Sequence, residues 1–156
     1  MLDEGDQAMA KGLKFKSRLF EELLNIVDKL SAESLNGVPI IVEGRRDEEG
    51  LRRAGVRGEI IRVKSIKGLR RFFEQRDVKR VILLLDLDSE GEKLMKILIR
   101  SLEGVVGEID LSYRKRLMEF KRFGLIEMES LDKLLERLRP VREMKNNLTS
   151  PSSSGL

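Results

Sequence analysis

The chain has no cysteine and no histidine. Disulfides, thiol nucleophiles, the usual zinc sites and histidine general bases are therefore excluded together, and any chemistry must run on carboxylates, lysines, arginines and bound metal. Tryptophan is also absent, tyrosine occurs once, and aromatic residues make up only 4% of the sequence, which leaves little for stacking on single-stranded bases. No apolar stretch approaches the roughly 18 residues of a membrane span, and the opening Met1-Leu2-Asp3-Glu4-Gly5-Asp6 is acidic rather than apolar. A cytoplasmic protein without membrane association is expected. Neither sign of charge dominates, since 31 Lys and Arg against 27 Asp and Glu leave +4. Missing Cys and Trp alongside abundant Glu, Lys and Arg also suits a thermophile.

What the chain does contain is a regular alternation of short apolar runs with amphipathic segments. Its 156 residues are one domain's worth. Phe15, Leu19, Phe20, Leu23, Leu24, Val27 and Leu30 recur at helical spacing and predict a helix from Phe15 to Glu33, within an N-terminal segment 1–37 that packs on the core. Strands follow at Val38–Val42, Glu59–Val63, Val81–Leu85 and Val105–Ile109. Helices are expected at Arg46–Ala54, after Ser65, from Ser89, at Leu111–Phe120 and at Leu131–Leu138. Ser89 and Glu92 fit a capping box. Such alternation implies a parallel four-stranded sheet flanked by helices, an α/β fold of three layers over residues 38–140. Residues 146–156 are rich in Ser and have no apolar period, and are expected to be a disordered tail.

Two of the strands end in acid. Val38-Pro39-Ile40-Ile41-Val42 runs into Glu43-Gly44, and Val81-Ile82-Leu83-Leu84-Leu85 runs into Asp86-Leu87-Asp88-Ser89-Glu90-Gly91-Glu92. In a parallel sheet, function gathers beyond the carboxyl ends of the strands. Three carboxylates brought together there repel one another unless a cation neutralises them, so Glu43, Asp86 and Asp88 point to oxygen ligation of Mg2+ or Mn2+. If the chain stays extended, Asp86 and Asp88 point the same way. A single acid at this position can equally cap the next helix; the set of three favours the metal. One metal with a base, or two metals, would suit phosphodiester chemistry.

Glu43-Gly44-Arg45-Arg46-Asp47, followed by Asp86-Leu87-Asp88-Ser89-Glu90-Gly91-Glu92, resembles the Toprim domain, with the likeness running from Val38 to Ile109 and extending to small stand-alone archaeal members. The resemblance implies a Rossmann-type fold, a general acid or base at Glu43, and magnesium coordination by Asp86 and Asp88. It implies one or two Mg2+ ions, with Mn2+ as substitute. Asp47 would be an outer carboxylate or else a helix cap, and Asp110 has the same two readings. Gly44 and Gly91 would allow a tight turn or close approach to a phosphate.

Arg45 and Arg46 flank Glu43 and can clamp a phosphate fork to fork. Lys64, Lys67, Arg70 and Arg71 follow the second strand, and Arg114, Lys115 and Arg116 follow the fourth; such clusters track a backbone without reading bases. The lone Tyr113 reads as a surface or packing residue. The expected function is Mg2+-dependent nuclease or related phosphotransfer chemistry on RNA or DNA, and the alternative is a non-catalytic nucleic-acid-binding module or an adaptor working with a partner protein.

Overall fold

The structure, a computed structural model, describes residues 3–140; the expected tail at 146–156 lies outside them. Four parallel strands, β1 (Ile40–Val42), β2 (Ile60–Arg62), β3 (Arg80–Leu83) and β4 (Glu108–Asp110), lie in the order β2-β1-β3-β4. The two apolar runs took the centre of the sheet because they alone can be buried on both faces. Ile40, Val42, Ile82 and Leu84 enter one core layer, Ile41, Val81, Leu83 and Leu85 the other.

The first layer is closed by α1 (Glu4–Leu35), α2 (Arg45–Arg53), α5 (Ser112–Leu117) and α6 (Leu131–Leu138); the second by α3 (Leu69–Glu74) and α4 (Ser89–Leu102). Helix α1 begins well before the expected Phe15, since Asp3 caps it by accepting the Asp6 N–H at 2.8 Å. Strand β4 sits three residues later at its start than predicted. Val106 instead packs as a loop residue, where Gly107 passes so close to the Lys79 carbonyl that a side chain would lie 2.5 Å from its oxygen. The expected helix Leu111–Phe120 tightens after Leu117 into a 3-10 turn, Met118–Phe123. Ser65 does not cap α3: it ends a 3-10 turn, and Gly68, left-handed at φ 71°, leads into the helix.

One arginine ties the layers at the sheet's edge. Arg80 donates to Glu33 of α1 at 2.8 Å and to Asp110 of β4 at 2.7 Å, and its hydrogen bond holds the Glu33 carboxyl below the usual range. Tyr113 is buried beside this group, with its hydroxyl pKa pushed up by burial and by Glu33. No helix among the described residues is long and apolar enough to cross a membrane.

Candidate metal centre

Strands β1 and β3 are hydrogen-bonded neighbours, Ile41 level with Leu83, and the Leu84 N–H donates to the Ile41 carbonyl at 2.9 Å. Their carboxyl ends therefore open at one edge, and Glu43 and Asp86 emerge side by side. Beyond β2 the chain stays pinned to β1, because the Lys64 N–H donates to the Glu43 carbonyl at 3.1 Å. This brings the Lys64 ammonium within 3.3 Å of the Glu43 carboxylate.

Helix α2 contributes the third acid. Asp47 stands in its first turn and accepts the Gly44 N–H at 3.1 Å, the reciprocal half of a capping box. It is only 8% exposed. Single carboxylate oxygens of Glu43, Asp47 and Asp86 all lie within 4.8 Å of one another. That is the separation at which one hard cation can bridge them, and carboxylate oxygen is the donor such a cation selects.

The electrostatics carry the cost of this convergence. Burial pushes the Asp86 carboxyl up to about 7, with the charges of Asp47, Glu43 and Asp88 adding to the shift against a hydrogen bond from the Met128 N–H. Asp47 is raised in the same way, by burial first and then by Glu43 and Glu129, against the Gly44 N–H. Both acids are thus held where ionisation is unfavourable until positive charge arrives.

The Met128 N–H reaches Asp86 Oδ1 at 3.1 Å because a 3-10 turn, Met128–Ser130, lies against α2. Gly50 makes that approach possible: a side chain there would stand 2.5 Å from the Glu129 Cα. The same turn brings Glu127 and Glu129 to the cleft, where a hydrogen bond and the charge of Glu129 raise the Glu127 carboxyl. Neither acid was expected from the sequence, and the only available hint was Gly50, a glycine in the interior of a helical segment. The cleft, about 400 Å³, is lined by Glu43, Asp47, Asp86, Glu127 and Glu129 together with Gly44, Arg45, Arg46 and Lys64.

Several expected residues lie elsewhere or act differently. Asp88 is not brought into the three: Leu84 and Leu87 both enter the same core layer, so the alternation slips beyond Asp86. Asp88 becomes the N-cap of α4, accepting the Gly91 N–H at 2.8 Å. The predicted box at Ser89 therefore does not form, and Glu92 pairs with Arg114 at 2.8 Å. Asp110 is level with Ile82, short of the active edge, and its carboxylate is taken by Arg80 and by the Ser112 N–H and hydroxyl. Arg114 is 5% exposed and donates to the backbone carbonyls of Leu85 and Asp86, so it anchors the end of β3 rather than tracking phosphate.

Arg70 caps the far end of α4 through the Ser101 and Glu103 carbonyls; that helix runs 14 residues, about 20 Å, away from Asp88. Lys67 and Arg71 are exposed on the α3 side and do not line the cleft. Arg45, paired to Glu49 at 3.5 Å, Arg46 and Lys64 do. Gly91 is sterically required, because a Cβ would run into the Asp86 carbonyl oxygen. Gly44 is not: its φ is −150° and a Cβ would meet only Lys64 Cδ at 3.7 Å.

The family model of the Toprim domain matches residues 38–120. The chain is 32% identical to a UPF0292 protein of Methanocaldococcus jannaschii over 118 residues, covering 74% of this chain and 91% of that one. It is 37% identical to a UPF0292 protein of Pyrococcus abyssi over 113 residues, covering 72% and 83%. A UPF0292 protein of Thermococcus kodakarensis is 34% identical over 124 residues, covering 80% and 91%. Among solved structures, a protein from Aquifex aeolicus superposes with a TM-score of 0.57 at 22% identity, over 68% of this chain and 94% of that one; this likeness supports the fold.

Proposed function

This chain belongs to the Toprim domain family, and from that premise we propose that it performs Mg2+-dependent phosphodiester chemistry on nucleic acid, as a nuclease or a related phosphotransfer enzyme. The observation that carries the reading is the convergence of Glu43, Asp47 and Asp86 within 4.8 Å beneath a rim of Arg45, Arg46 and Lys64. These three carboxylates fit a hard divalent ion, since they offer oxygen donors and two of them resist ionising alone. When bound, such an ion supplies Lewis-acid stabilisation of charge on phosphoryl oxygens.

The protein's own groups do the rest. Asp47 and Asp86 are oriented by the Gly44 and Met128 N–H groups, so with Glu43 they would hold the ion from carboxylates already fixed in place. Glu43 keeps its side chain 27% exposed, and stands where it can take or give a proton at an attacking or leaving oxygen. Arg45 and Arg46 line the cleft and clamp the flanking phosphates. Lys64, held on Glu43 in the free protein, is placed to pair with a phosphate once one arrives.

The test is a labelled panel of single-stranded, duplex and hairpin RNA and DNA, incubated with Mg2+ or Mn2+, with chelator and Asp86→Asn alongside. Product that disappears in both controls supports the enzyme. Retention of nucleic acid without product, insensitive to Glu43→Gln, would transfer the assignment to a binding or adaptor module.

A further inference from the structure

Helix α1 outruns the domain it belongs to. Its buried side chains begin at Leu19 and continue through Phe20, Leu23, Ile26, Val27 and Leu30, so the turns from Glu4 to Gly12 run beyond the core as largely exposed helix, while Phe15 still meets the Phe123 ring. The core stripe does not stop at its edge. Phe20, Leu23, Val27 and Leu30 extend backward at the same three-and-four spacing to Lys16, Leu13, Met9 and Asp6. Leu13 and Met9 are 57% and 68% exposed.

Gly5 and Gly12 lie on one flank of this seam. Glycine weakens a helix interior relative to alanine, and neither position repays that among the described residues. A Cβ at Gly12 would meet nothing within 4 Å, one at Gly5 would meet only the Asp3 side chain at 3.4 Å, and neither residue has a positive φ. Small residues beside an exposed apolar pair suit a second helix lying close.

The order of residues along the seam identifies that helix. Asp6, Met9, Leu13 and Lys16 read against their own reverse set Asp6 opposite Lys16 and Met9 opposite Leu13, both ways round, about a two-fold axis near Lys11. Such self-complementarity is what an isologous contact requires. A parallel pair would instead oppose Asp6 to Asp6 and Lys16 to Lys16. The antiparallel arrangement also carries the acidic start of each helix, Asp3 and Glu4, towards Arg18 of the other. There, among the described residues, Leu13, Lys16, Leu138 and Pro140 line a groove of about 310 Å³ between α1 and the end of α6, beside the place of that first turn.

We propose that the chain is a homodimer, joined through antiparallel packing of the projecting half of α1, with Met9 and Leu13 at the centre and Asp6 paired to Lys16 at each end. The contact lies outside the acidic cleft and does not depend on its chemistry.

Sedimentation equilibrium of the full chain tests this. At about 100 µM, in the range where a small specific interface assembles, the expected mass is that of two 17.9 kDa chains. Leu13→Glu should yield single chains with unchanged helical circular dichroism. Asp6→Lys and Lys16→Asp should each weaken association at least about tenfold, and the two changes in one chain should restore it to within a few-fold of the parent. A single-chain mass for the parent overturns the proposal and leaves the face to residues 141–156 or to a different protein. A dimer indifferent to Leu13→Glu, or a double exchange no better than either single change, overturns it as well.

Discussion

Replacing Asp86 by Asn should stabilise the metal-free protein above neutral pH, although it removes a central group of the cleft. The Asp86 carboxyl is raised from 3.8 to about 7, chiefly by burial and then by the neighbouring acids. Because the folded state binds this proton more tightly than the unfolded chain, the favourable contribution is complete below the unfolded value and is lost as pH rises through about 7. At about 1.4 kcal/mol per pKa unit, the full shift corresponds to about 4 kcal/mol, and solvent screening at a partly exposed group brings this into a range of about 2 to 4 kcal/mol. The asparagine carbonyl can still accept the Met128 N–H, which reaches Asp86 Oδ1 at 3.1 Å, so the variant loses the charge and keeps the anchor. In a thermal scan at pH 8 with chelator it should melt roughly 5 to 15 °C above the parent, and the difference should close near pH 4. Magnesium should close the gap: the parent should gain about 4.1 kcal/mol at a thousandfold excess over its dissociation constant, and the variant far less. A variant that melts lower than the parent at pH 8, or a parent whose stability does not fall between pH 5 and 8, would refute the reasoning.

The two motif glycines should separate cleanly in urea unfolding. Gly91→Ala drives a Cβ into the Asp86 carbonyl oxygen and should cost more than about 2 kcal/mol, whereas Gly44→Ala, 3.7 Å from the Lys64 side chain, should stay within about 0.5 kcal/mol of the parent. Asp88→Ala removes the α4 cap and should cost about 1 kcal/mol of stability, while calorimetric Mn2+ titration should show a smaller loss of affinity than for Asp47→Asn; the opposite ranking would return Asp88 to the inner set. Arg114→Ala leaves the Leu85 and Asp86 carbonyls and the Glu92 carboxylate without their partner and should cost about 3 kcal/mol in the same urea experiment. Filter binding of a labelled RNA or DNA should weaken at least tenfold in chelator and recover with Mg2+, because without a cation the cleft sets five acidic side chains against three basic ones; equal retention in chelator would count against the joint site.

The parts legible in the sequence were those that local pattern determines. Val81 to Leu85 could be read as an interior parallel strand because nothing polar interrupts it, and Glu43 and Asp86 followed from the places where such strands end. Asp88 and Asp110 show why that rule does not extend further. An acid at the end of a strand can ligate or cap, and the choice rests on register: a slip after Asp86 turns Asp88 to the α4 amides, and Asp110, level with Ile82 and so short of Asp86, lies beside Arg80. Arg114 looked like a phosphate contact for the same reason, since a cation beside the sheet edge reads alike whether it faces solvent or two strand-end carbonyls. Glu127 and Glu129 lay beyond any local reading, as they reach the cleft only because Gly50 lets a distant turn rest on α2. That contact also supplies the Met128 N–H on Asp86. The packing that adds two acids to the cleft therefore also orients the one whose ionisation is most costly, which couples the strength of the site to the seating of the Met128 turn.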